Sequence, residues 1–285
     1  MKSLYDEPAY YAMMFDHRDD DVAFYRGVLA RAKARTVLEY GAGAGRVAIP
    51  LARDGMTVDA LESAPAMVRA MRDRLANESS EVRGRVKVTE GDALAVALGR
   101  RVDAVISPFN GLAHFETAEQ LGAFFGRVHE HLVAGATALF AFDVWIPAPG
   151  LLAGAETQSP WLDDPRGVGR VRCTERFAYE SLTQVLVATL EIRDERGAVV
   201  DVLETRLRQF FPEETRMLLA LHGFEVVHRT TRFAGITGVD LFGSRFTGVD
   251  SFGTSSATVP DETDRGEMLA YVCRPKRRRS GDQFG

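Results

Sequence analysis

The segment Thr36–Arg46, with the sequence TVLEYGAGAGR, most restricts the folds open to this chain. Four residues typical of a buried strand run into glycines at 41, 43 and 45, and an apolar segment with helical periodicity follows. A glycine-rich turn between a strand and a helix lets polar groups of a ligand approach the backbone closely. The segment therefore predicts a βα unit with a ligand-binding turn.

Similar units recur along the first half of the chain. Further strand patterns occupy 57–62, 86–90, 102–107 and 136–143. Helical patterns with capping residues lie at 19–32, 47–53, 63–77 and 117–132. Strands that alternate with helices over short connections build a parallel sheet with right-handed crossovers. The pattern therefore predicts an α/β fold with a doubly wound parallel sheet.

The pattern changes after Trp145. Segments 170–179, 185–193 and 199–210 each alternate apolar and polar residues, which is typical of strands in an antiparallel sheet. A helix at 212–222 and strands at 224–230 and 268–273 follow. We therefore expect an antiparallel β appendage inserted after the fifth strand, and then a return to the main sheet.

The glycine turn differs from both common phosphate-binding motifs. No Gly-Lys-Ser/Thr ends it, so it is not a P-loop. Arg46 occupies the position of the third glycine of the dinucleotide fingerprint. The carboxylate of Glu39, two residues before Gly41, repels a pyrophosphate and attracts an ammonium group. The turn therefore favours a ligand with a cationic or zwitterionic end.

Two more carboxylates follow the next predicted strands. Glu62 ends the second strand, where a carboxylate can accept hydrogen bonds from both hydroxyls of a ribose. Asp92 follows the third strand and could accept from the amino group of adenine. Open α/β sheets bind ligands at the carboxyl ends of their strands. The pattern favours a nucleoside site, although each carboxylate taken alone could instead cap a helix.

The segments VLEYGAGAGR, VDALESAPAM, VTEGDAL and VDAVISPFNGLAHF resemble the successive motifs of class I S-adenosylmethionine-dependent methyltransferases in order, spacing and strand placement. The resemblance implies a Rossmann-like, seven-stranded, mostly parallel sheet. It also implies S-adenosylmethionine as cofactor and S-adenosylhomocysteine as product. The cofactor-binding residues that we predict from it are Tyr10, Tyr11, Glu39, Gly41, Ala42, Gly43, Arg46, Glu62, Ser63, Met67, Asp92, Ala93, Leu94, Pro108 and Phe109.

The resemblance also suggests catalytic candidates. In that family the fourth strand abuts the methyl donor, so Asn110 and His114 are candidates, and in a helix their spacing would put them on one face. Tyr11 is the third candidate, because a tyrosine ring suits a sulfonium cation. His114 could act as a general base, which helps phenols and alcohols more than neutral amines. The alternatives are a packing or surface histidine, a turn asparagine and a core tyrosine.

The appendage resembles the lid or dimerisation insertion of small-molecule N-methyltransferases of the glycine and amino-sugar types. We therefore predict a methyltransferase that acts on an N or O nucleophile of a small molecule, in secondary metabolism, and a homodimer formed through the appendage. A macromolecule methyltransferase, acting on protein or RNA, and an NAD-dependent oxidoreductase remain alternatives. The predicted units are an N-terminal helical cap (1–34), the cofactor-binding domain (35–145 and 211–275), the β appendage (146–210) and a disordered basic tail (276–285).

Composition excludes other classes of function. The net charge of −5 argues against a nucleic-acid partner. The two cysteines form no CxxC motif, so no metal site is expected. Neither a signal peptide nor a membrane-spanning segment is predicted, so we expect a cytoplasmic protein without a membrane partner. A near-repeat, at 237–244 and again at 247–254, predicts a long loop or a flap over the active site.

Overall fold

The structure is a computed structural model and describes residues 2–135, 137–231, 233 and 268–276. The strands are β1 (Lys2–Ser3), β2 (Thr36–Tyr40), β3 (Thr57–Glu62), β4 (Val86–Glu90), β5 (Ala104–Ser107), β6 (Leu139–Trp145), β7 (Glu156–Gln158), β8 (Leu162–Asp163), β9 (Arg170–Glu180), β10 (Val185–Asp194), β11 (Val199–Arg208), β12 (Phe224–Thr231) and β13 (Met268–Pro275). The α-helices are α1 (Pro8–Phe15), α2 (Asp20–Arg31), α3 (Ala48–Arg53), α4 (Pro65–Ala76), α5 (Ser80–Arg85), α6 (Ala118–His131), α7 (Pro149–Leu152) and α8 (Pro212–Leu221).

The main sheet has the strand order β12-β13-β6-β5-β2-β3-β4 within the described residues. The pairs among β2 to β6 are parallel, and β13 runs antiparallel to both β6 and β12. The carboxyl ends of β2 to β6 therefore lie along one edge of the sheet. The predicted doubly wound, seven-stranded, mostly parallel fold is confirmed.

Hydrophobic cores cover both faces of the main sheet. Neighbouring residues of β2 point to opposite faces, as side chains on a strand must. Val37 packs with the cluster that includes α2 and α3, and Leu38 packs with the cluster that includes α6. The start of α6 forms the predicted capping box, in which Thr117 and Gln120 each accept a hydrogen bond from the other's backbone N–H.

The second sheet is the predicted antiparallel appendage. Its order is β1-β11-β10-β9-β7, and β8 pairs with β9. Strand β1 is the exception, because it runs parallel to β11 with Lys2 opposite Leu203. The N-terminal segment, predicted as a helical cap, therefore begins with a short strand before its helices. A strand of two residues gives no periodic signal, and a capping box between Ser3 and Asp6 starts a 3-10 helix directly after it.

Several element boundaries differ from the prediction. Helix α5 was not expected, and β6 begins and ends later than the predicted segment 136–143. Ser63 does not cap α4, because Ala64 holds the capping position and Glu62 Oε1 accepts its N–H. The near-repeat and residues 277–285 of the basic tail lie outside the described residues. Among the described helices, none combines the length and apolarity needed to cross a membrane.

A buried ion pair ties α2 to the glycine turn. Both carboxylate oxygens of Asp21 accept hydrogen bonds from the guanidinium of Arg46, at 2.6 and 2.5 Å. The Asp21 side chain is completely buried, and only 12% of the Arg46 side chain is exposed. Removing one partner of a buried pair is costly, because the other charge is left without compensation.

We therefore expect Asp21→Ala to lower the free energy of unfolding by about 3–5 kcal/mol in urea denaturation. The matched control is Asp54→Ala, which removes a similar forked contact with Arg26 at the surface. Exposed pairs contribute about 0–1 kcal/mol, so this variant should stay close to the wild type. Equal losses in the two variants would contradict the structural role of the buried pair.

Candidate active site

A cavity of about 500 Å³, here called the large cavity, lies at the carboxyl edge of the main sheet. This volume is within the range of about 300–1,000 Å³ that is typical of small-molecule sites. Its walls come from the glycine turn, the ends of β2 to β5 and the N-terminal segment. The lining residues are Tyr5, Tyr11, Tyr40, Gly41, Gly43, Leu61, Glu62, Ser63, Ala64, Gly91, Asp92, Ala93, Leu94, Ser107, Pro108, Phe109, Gly111, His114, Phe115 and Gln120.

The large cavity brings together most of the residues predicted from the sequence. Those at its wall are Tyr11, Gly41, Gly43, Glu62, Ser63, Asp92, Ala93, Leu94, Pro108, Phe109 and His114. The other predicted residues are not at its wall: Tyr10, Glu39, Ala42, Arg46, Met67 and Asn110. Sequence reasoning did not select Tyr5, although its place in the aromatic N-terminal segment was a usable signal.

Glu62 connects the glycine turn to the start of α4. Its Oε2 accepts the N–H of Gly43 at 2.8 Å, and its Oε1 accepts the N–H of Ala64 at 2.8 Å. Each carboxylate oxygen can accept more than one hydrogen bond, so these contacts leave acceptor capacity on the cavity side. Glu62 therefore shapes the turn and also lines the large cavity with its carboxylate.

Asp92 makes a local turn contact and also lines the large cavity, and among the described residues no helix follows it for it to cap. Its Oδ1 accepts the N–H of Leu94 at 2.8 Å, which is a local turn contact. The residue is exposed, and it also lines the large cavity. This turn contact leaves the Asp92 side chain at the wall of the large cavity, and its role as a contact of adenine stays a prediction.

Three predicted cofactor residues make buried contacts away from the wall of the large cavity. Tyr10 is buried in the core of the appendage, and its hydroxyl donates to Asp164 Oδ2 at 3.3 Å. Arg46 donates to Asp21 and to the carbonyl oxygen of Arg18. Glu39 is 2% exposed, and burial raises the pKa of its carboxyl well above the ordinary value. Glu39 therefore sits inside the protein, and its assignment as a cofactor ligand stays a prediction.

Met67 and Ala42 are likewise packing residues. Met67 is fully buried on α4, and Ala42 belongs to the hydrophobic core beside α3. The N–H of Ala42 donates to the carbonyl oxygen of Leu61, which closes the glycine turn against the end of β3. Both residues therefore support the large cavity from behind its wall.

Asp143, at the end of β6, is a site residue that sequence reasoning missed. Its buried carboxylate accepts the hydroxyl of Tyr25 and the N–H groups of Phe109 and Asn110, the latter two at 2.9 and 3.2 Å. Burial raises the pKa of the Asp143 carboxyl to about 6, while these hydrogen bonds hold it down. A usable signal was its place as a further carboxylate near the end of a parallel strand.

The segment after β5 has an unusual backbone. Phe109 and Asn110 both have positive φ angles, 52° and 62°. Non-glycine residues adopt this left-handed region at a cost of about 1–3 kcal/mol each when the surroundings hold them there. The two N–H groups that follow this path both donate to Asp143. The Asp143 carboxylate therefore stabilises a backbone that places Phe109 at the cavity wall.

The prediction that Asn110 and His114 share one face of an α-helix is wrong. Residues Gly111–His114 form a 3-10 helix, which has three residues per turn, and Asn110 is its left-handed N-cap. The Asn110 side chain turns inward instead, and its Oδ1 accepts the N–H of Trp145 at 3.2 Å. Residues four apart do not align on this helix, so the two side chains leave it in different directions.

His114 is oriented by the N-terminal segment. Its Nε2 is 2.9 Å from the hydroxyl of Tyr5, and the two rings meet edge to face. The His114 side chain is exposed to the cavity and enclosed by protein, and this burial lowers its pKa to about 4. His114 is therefore neutral at pH 7 and can exchange hydrogen bonds without carrying a charge.

A second, smaller cavity of about 50 Å³ adjoins the first. It lies between the inner face of the appendage sheet and the segment after β5. Tyr5, Tyr11, Phe109 and His114 line both cavities and therefore form their junction. The remaining residues that line the small cavity are Leu4, Met14, Phe15, Asn110, Trp145, Glu175, Ala188, Leu190, Leu203, Thr205 and Leu207.

The pKa of His114 has a measurable consequence. Its folded-state pKa of about 4 lies below the unfolded value of about 6.5, so the unfolded chain binds more protons between these pH values. We therefore expect His114 to make the free energy of unfolding increase with pH between about 4 and 6.5. The His114→Gln variant should lack this increase. Urea midpoints at pH 5 and pH 7 for both proteins test this.

Asp143 contributes in the opposite direction, because its raised pKa makes stability fall with pH over part of the same window. This contribution is present in both proteins and therefore cancels when they are compared. NMR of the histidine ring should show a neutral imidazole at pH 5. A His114 midpoint between pH 6 and 7 would contradict the enclosed environment of the ring.

The comparisons with known proteins agree with this geometry. Residues 37–135 match a family model described as a methyltransferase domain. A search of curated proteins found no match. Among solved structures, the CcbJ methyltransferase from Streptomyces caelestis is similar at 25% identity and a TM-score of 0.69, over 91% of this chain and 90% of that chain.

Two further solved structures share the fold at lower identity. An S-adenosylmethionine-dependent methyltransferase from Clostridium acetobutylicum aligns at 12% identity and a TM-score of 0.69, over 94% of this chain and 96% of that chain. CalS10, an amino pentose methyltransferase from Micromonospora echinaspora, solved with S-adenosylmethionine bound, aligns at 20% identity and a TM-score of 0.56, over 90% and 91%. Residues 37–135 are therefore similar to a methyltransferase domain, and the chain has the fold of the class I S-adenosylmethionine-dependent methyltransferases.

Proposed function

We propose that this methyltransferase takes its methyl group from S-adenosylmethionine and transfers it to an N or O nucleophile of a small molecule in secondary metabolism. The observation that carries the proposal is the pair of adjoining cavities, which share four aromatic residues at their junction. One cavity has the size of a nucleoside site, and the other is small and largely apolar. A donor and an acceptor could therefore meet at the junction.

The residues of the large cavity fit the proposed cofactor. The carboxylate of Glu62 would accept the ribose hydroxyls, and Asp92 with the neighbouring Ala93 and Leu94 would contact adenine. Backbone groups of the glycine turn would contact the methionine part. When bound, S-adenosylmethionine supplies a methyl group activated by a positively charged sulfur. Tyr11, at the junction of the cavities, would turn an aromatic ring toward that charge.

Residues at the junction would orient the acceptor. His114 is neutral and forms a hydrogen bond with the hydroxyl of Tyr5. This pair could therefore donate a hydrogen bond to an incoming group or accept one from it. A histidine with a pKa of about 4 is a weak base at neutral pH. Positioning of the nucleophile near the methyl group would then contribute more to the rate than proton removal by His114.

The shape of the small cavity supports a small-molecule acceptor over a macromolecule. Its walls come from the N-terminal segment, the appendage and the segment after β5, which surround it on several sides. One of the similar structures is an enzyme that acts on an amino pentose. The net charge of −5 also weighs against RNA as the substrate. The homodimer through the appendage stays a prediction.

Binding of the cofactor is the first test. We expect isothermal titration calorimetry to give micromolar dissociation constants for S-adenosylmethionine and S-adenosylhomocysteine, because metabolite-binding constants commonly fall in that range. NAD should give no heat of binding, since its pyrophosphate would face carboxylates. Binding of NAD without binding of S-adenosylhomocysteine would reverse the proposal in favour of an oxidoreductase.

The ribose assignment is tested by Glu62→Ala. We expect this variant to weaken binding of S-adenosylhomocysteine by about 1–3 kcal/mol, because buried hydroxyls lose their charged acceptor. The matched control is Glu90→Ala. Glu90 lies beside Glu62 in register on β4, is exposed, and is not at the cavity wall. Calorimetry should show wild-type affinity for the control, and an unchanged affinity in Glu62→Ala would refute the assignment.

A further inference from the structure

Residues 91–98, here called the wall segment, follow β4 and supply part of the wall of the large cavity. The structure describes all of them, and they form neither a helix nor a strand. The segment nevertheless places Gly91, Asp92, Ala93 and Leu94 at the cavity wall. Backbone without a ladder of hydrogen bonds moves easily unless other elements fix it. The position of this part of the wall therefore depends on the residues that bind the segment.

Helix α6 holds the wall segment at two points. Arg127 and His131 lie four residues apart on α6, so their side chains share one face of the helix. Nε of Arg127 donates to the carbonyl oxygen of Leu94 at 2.9 Å, and Nε2 of His131 accepts the N–H of Leu98 at 3.2 Å. The apolar side chains of the segment pack against the core that includes α6, but apolar contacts have no preferred direction. The two hydrogen bonds therefore fix where the segment sits on α6.

His131 also reaches the end of β2. Its Nδ1 is 2.7 Å from the hydroxyl of Tyr40, which precedes Gly41 and lines the large cavity. Because Nε2 accepts a hydrogen bond, it carries no proton, so the proton of the neutral ring is on Nδ1 and is donated to Tyr40. The residue is 3% exposed, and burial lowers the pKa of its imidazole. One neutral ring therefore connects the wall segment to the start of the glycine turn.

The contact made by Arg127 reaches Asp92 through a single residue. Leu94, whose carbonyl oxygen binds Arg127, donates its N–H to Asp92 Oδ1 at 2.8 Å. The carbonyl oxygen of Asp92 accepts the N–H groups of Ala95 and Val96 at 3.0 and 2.9 Å, which closes the turn on itself. A turn closed in this way moves as a unit. The direction of the Asp92 carboxylate therefore follows the point at which α6 holds the turn.

We propose that Arg127 and His131 are positioning residues of the cofactor site, which hold the wall segment where Asp92 distinguishes adenine from other bases. The inference rests on the proposed function, because it concerns the part of that site that would contact adenine. Asp92 would accept a hydrogen bond from the amino group of adenine, whereas hypoxanthine carries at that position an oxygen that a carboxylate repels. The preference for adenine over hypoxanthine therefore measures how well the carboxylate is placed.

The test compares S-adenosylhomocysteine with S-inosylhomocysteine, in which hypoxanthine replaces adenine, by isothermal titration calorimetry. We expect the wild type to bind S-adenosylhomocysteine at least about tenfold more tightly. Arg127→Ala should reduce this ratio about fivefold, because Leu94 loses its donor. Arg127→Lys, whose ammonium group can still donate to Leu94, should restore most of the ratio. A general loss of folding would weaken both ligands alike and leave their ratio unchanged.

Two variants of His131 separate the contacts of its ring. A glutamine side chain reaches as far as Nε2 and can still accept the N–H of Leu98, whereas asparagine reaches only as far as Nδ1 and keeps only the contact with Tyr40. We therefore expect His131→Asn to lower the ratio about fivefold and His131→Gln to keep it. If these buried variants do not fold, the Arg127 variants decide, because 28% of the Arg127 side chain is exposed.

The matched control is Arg216→Ala. Arg127 pairs with Glu130 three residues away on α6, and Arg216 forms the same kind of pair with Glu213 on α8, which packs against β12. A second control, Glu130→Ala, removes the helical pair of Arg127 and leaves its contact with Leu94. Both controls should keep the wild-type ratio.

A wild-type ratio in Arg127→Ala would overturn the positioning role of α6. Equal affinity of the wild type for the two ligands would overturn it as well, because the wall segment would then not distinguish the bases. Absence of any binding of S-adenosylhomocysteine by the wild type would instead refute the proposed function on which the inference rests.

Discussion

The arrangement of the site depends on the buried carboxylate of Asp143. It accepts hydrogen bonds from the Tyr25 hydroxyl on α2 and from two successive N–H groups after β5. Those N–H groups belong to Phe109 and Asn110, whose left-handed backbone would be unfavourable without such support. One side chain therefore joins β6, α2 and the segment that separates the two cavities. Three donors also explain how a carboxyl with no solvent exposure is accommodated.

Phe109 connects the backbone held by Asp143 to the other aromatic residues of the site. Its ring makes edge contacts with Tyr11 and Phe15 from α1, and with Trp145 at the end of β6. The guanidinium groups of Arg18 and Arg46 lie 5.2 and 5.4 Å from the ring centre. Arg46 follows the glycine turn, so the ring connects that turn with the N-terminal segment. Phe109 therefore lines both cavities, and the hydrogen bond from its backbone N–H to Asp143 holds it in place.

The N-terminal segment closes the site through contacts with both the appendage and the segment after β5. It is attached to the appendage by the two-residue strand β1 and by the pair between Lys2 and Asp201 at 2.7 Å. At the other end, Tyr5 reaches His114 across the junction of the cavities. Short strands and exposed ion pairs contribute little to stability. The packing of α1 against the core of the appendage, through the buried Tyr10, therefore provides the firmer attachment.

Elements with long periodic patterns could be predicted from the sequence, and features set by tertiary contacts could not. The parallel strands, the glycine turn and the capping box at Thr117 follow from local spacing. Tyr10 and Tyr11 show the limit, because neighbours on a helix point about 100° apart. One therefore lines the cavities while the other enters the appendage core. The left-handed backbone of Phe109 and Asn110, which precedes the 3-10 helix, is held by hydrogen bonds to Asp143, and spacing along the chain does not encode these contacts.

The charges of the two cavities also answer which ligand the glycine turn suits. Among the described residues at either wall there is no lysine or arginine, whereas the carboxylates of Glu62 and Asp92 are present at the wall of the large cavity. The nearby Arg46 is committed to Asp21 and to the ring of Phe109. A pyrophosphate would meet repulsion without a compensating cation. A ligand with a sulfonium and an ammonium group would instead be attracted by these carboxylates. The glycines of this turn resemble those of dinucleotide-binding turns, but the surrounding charges differ.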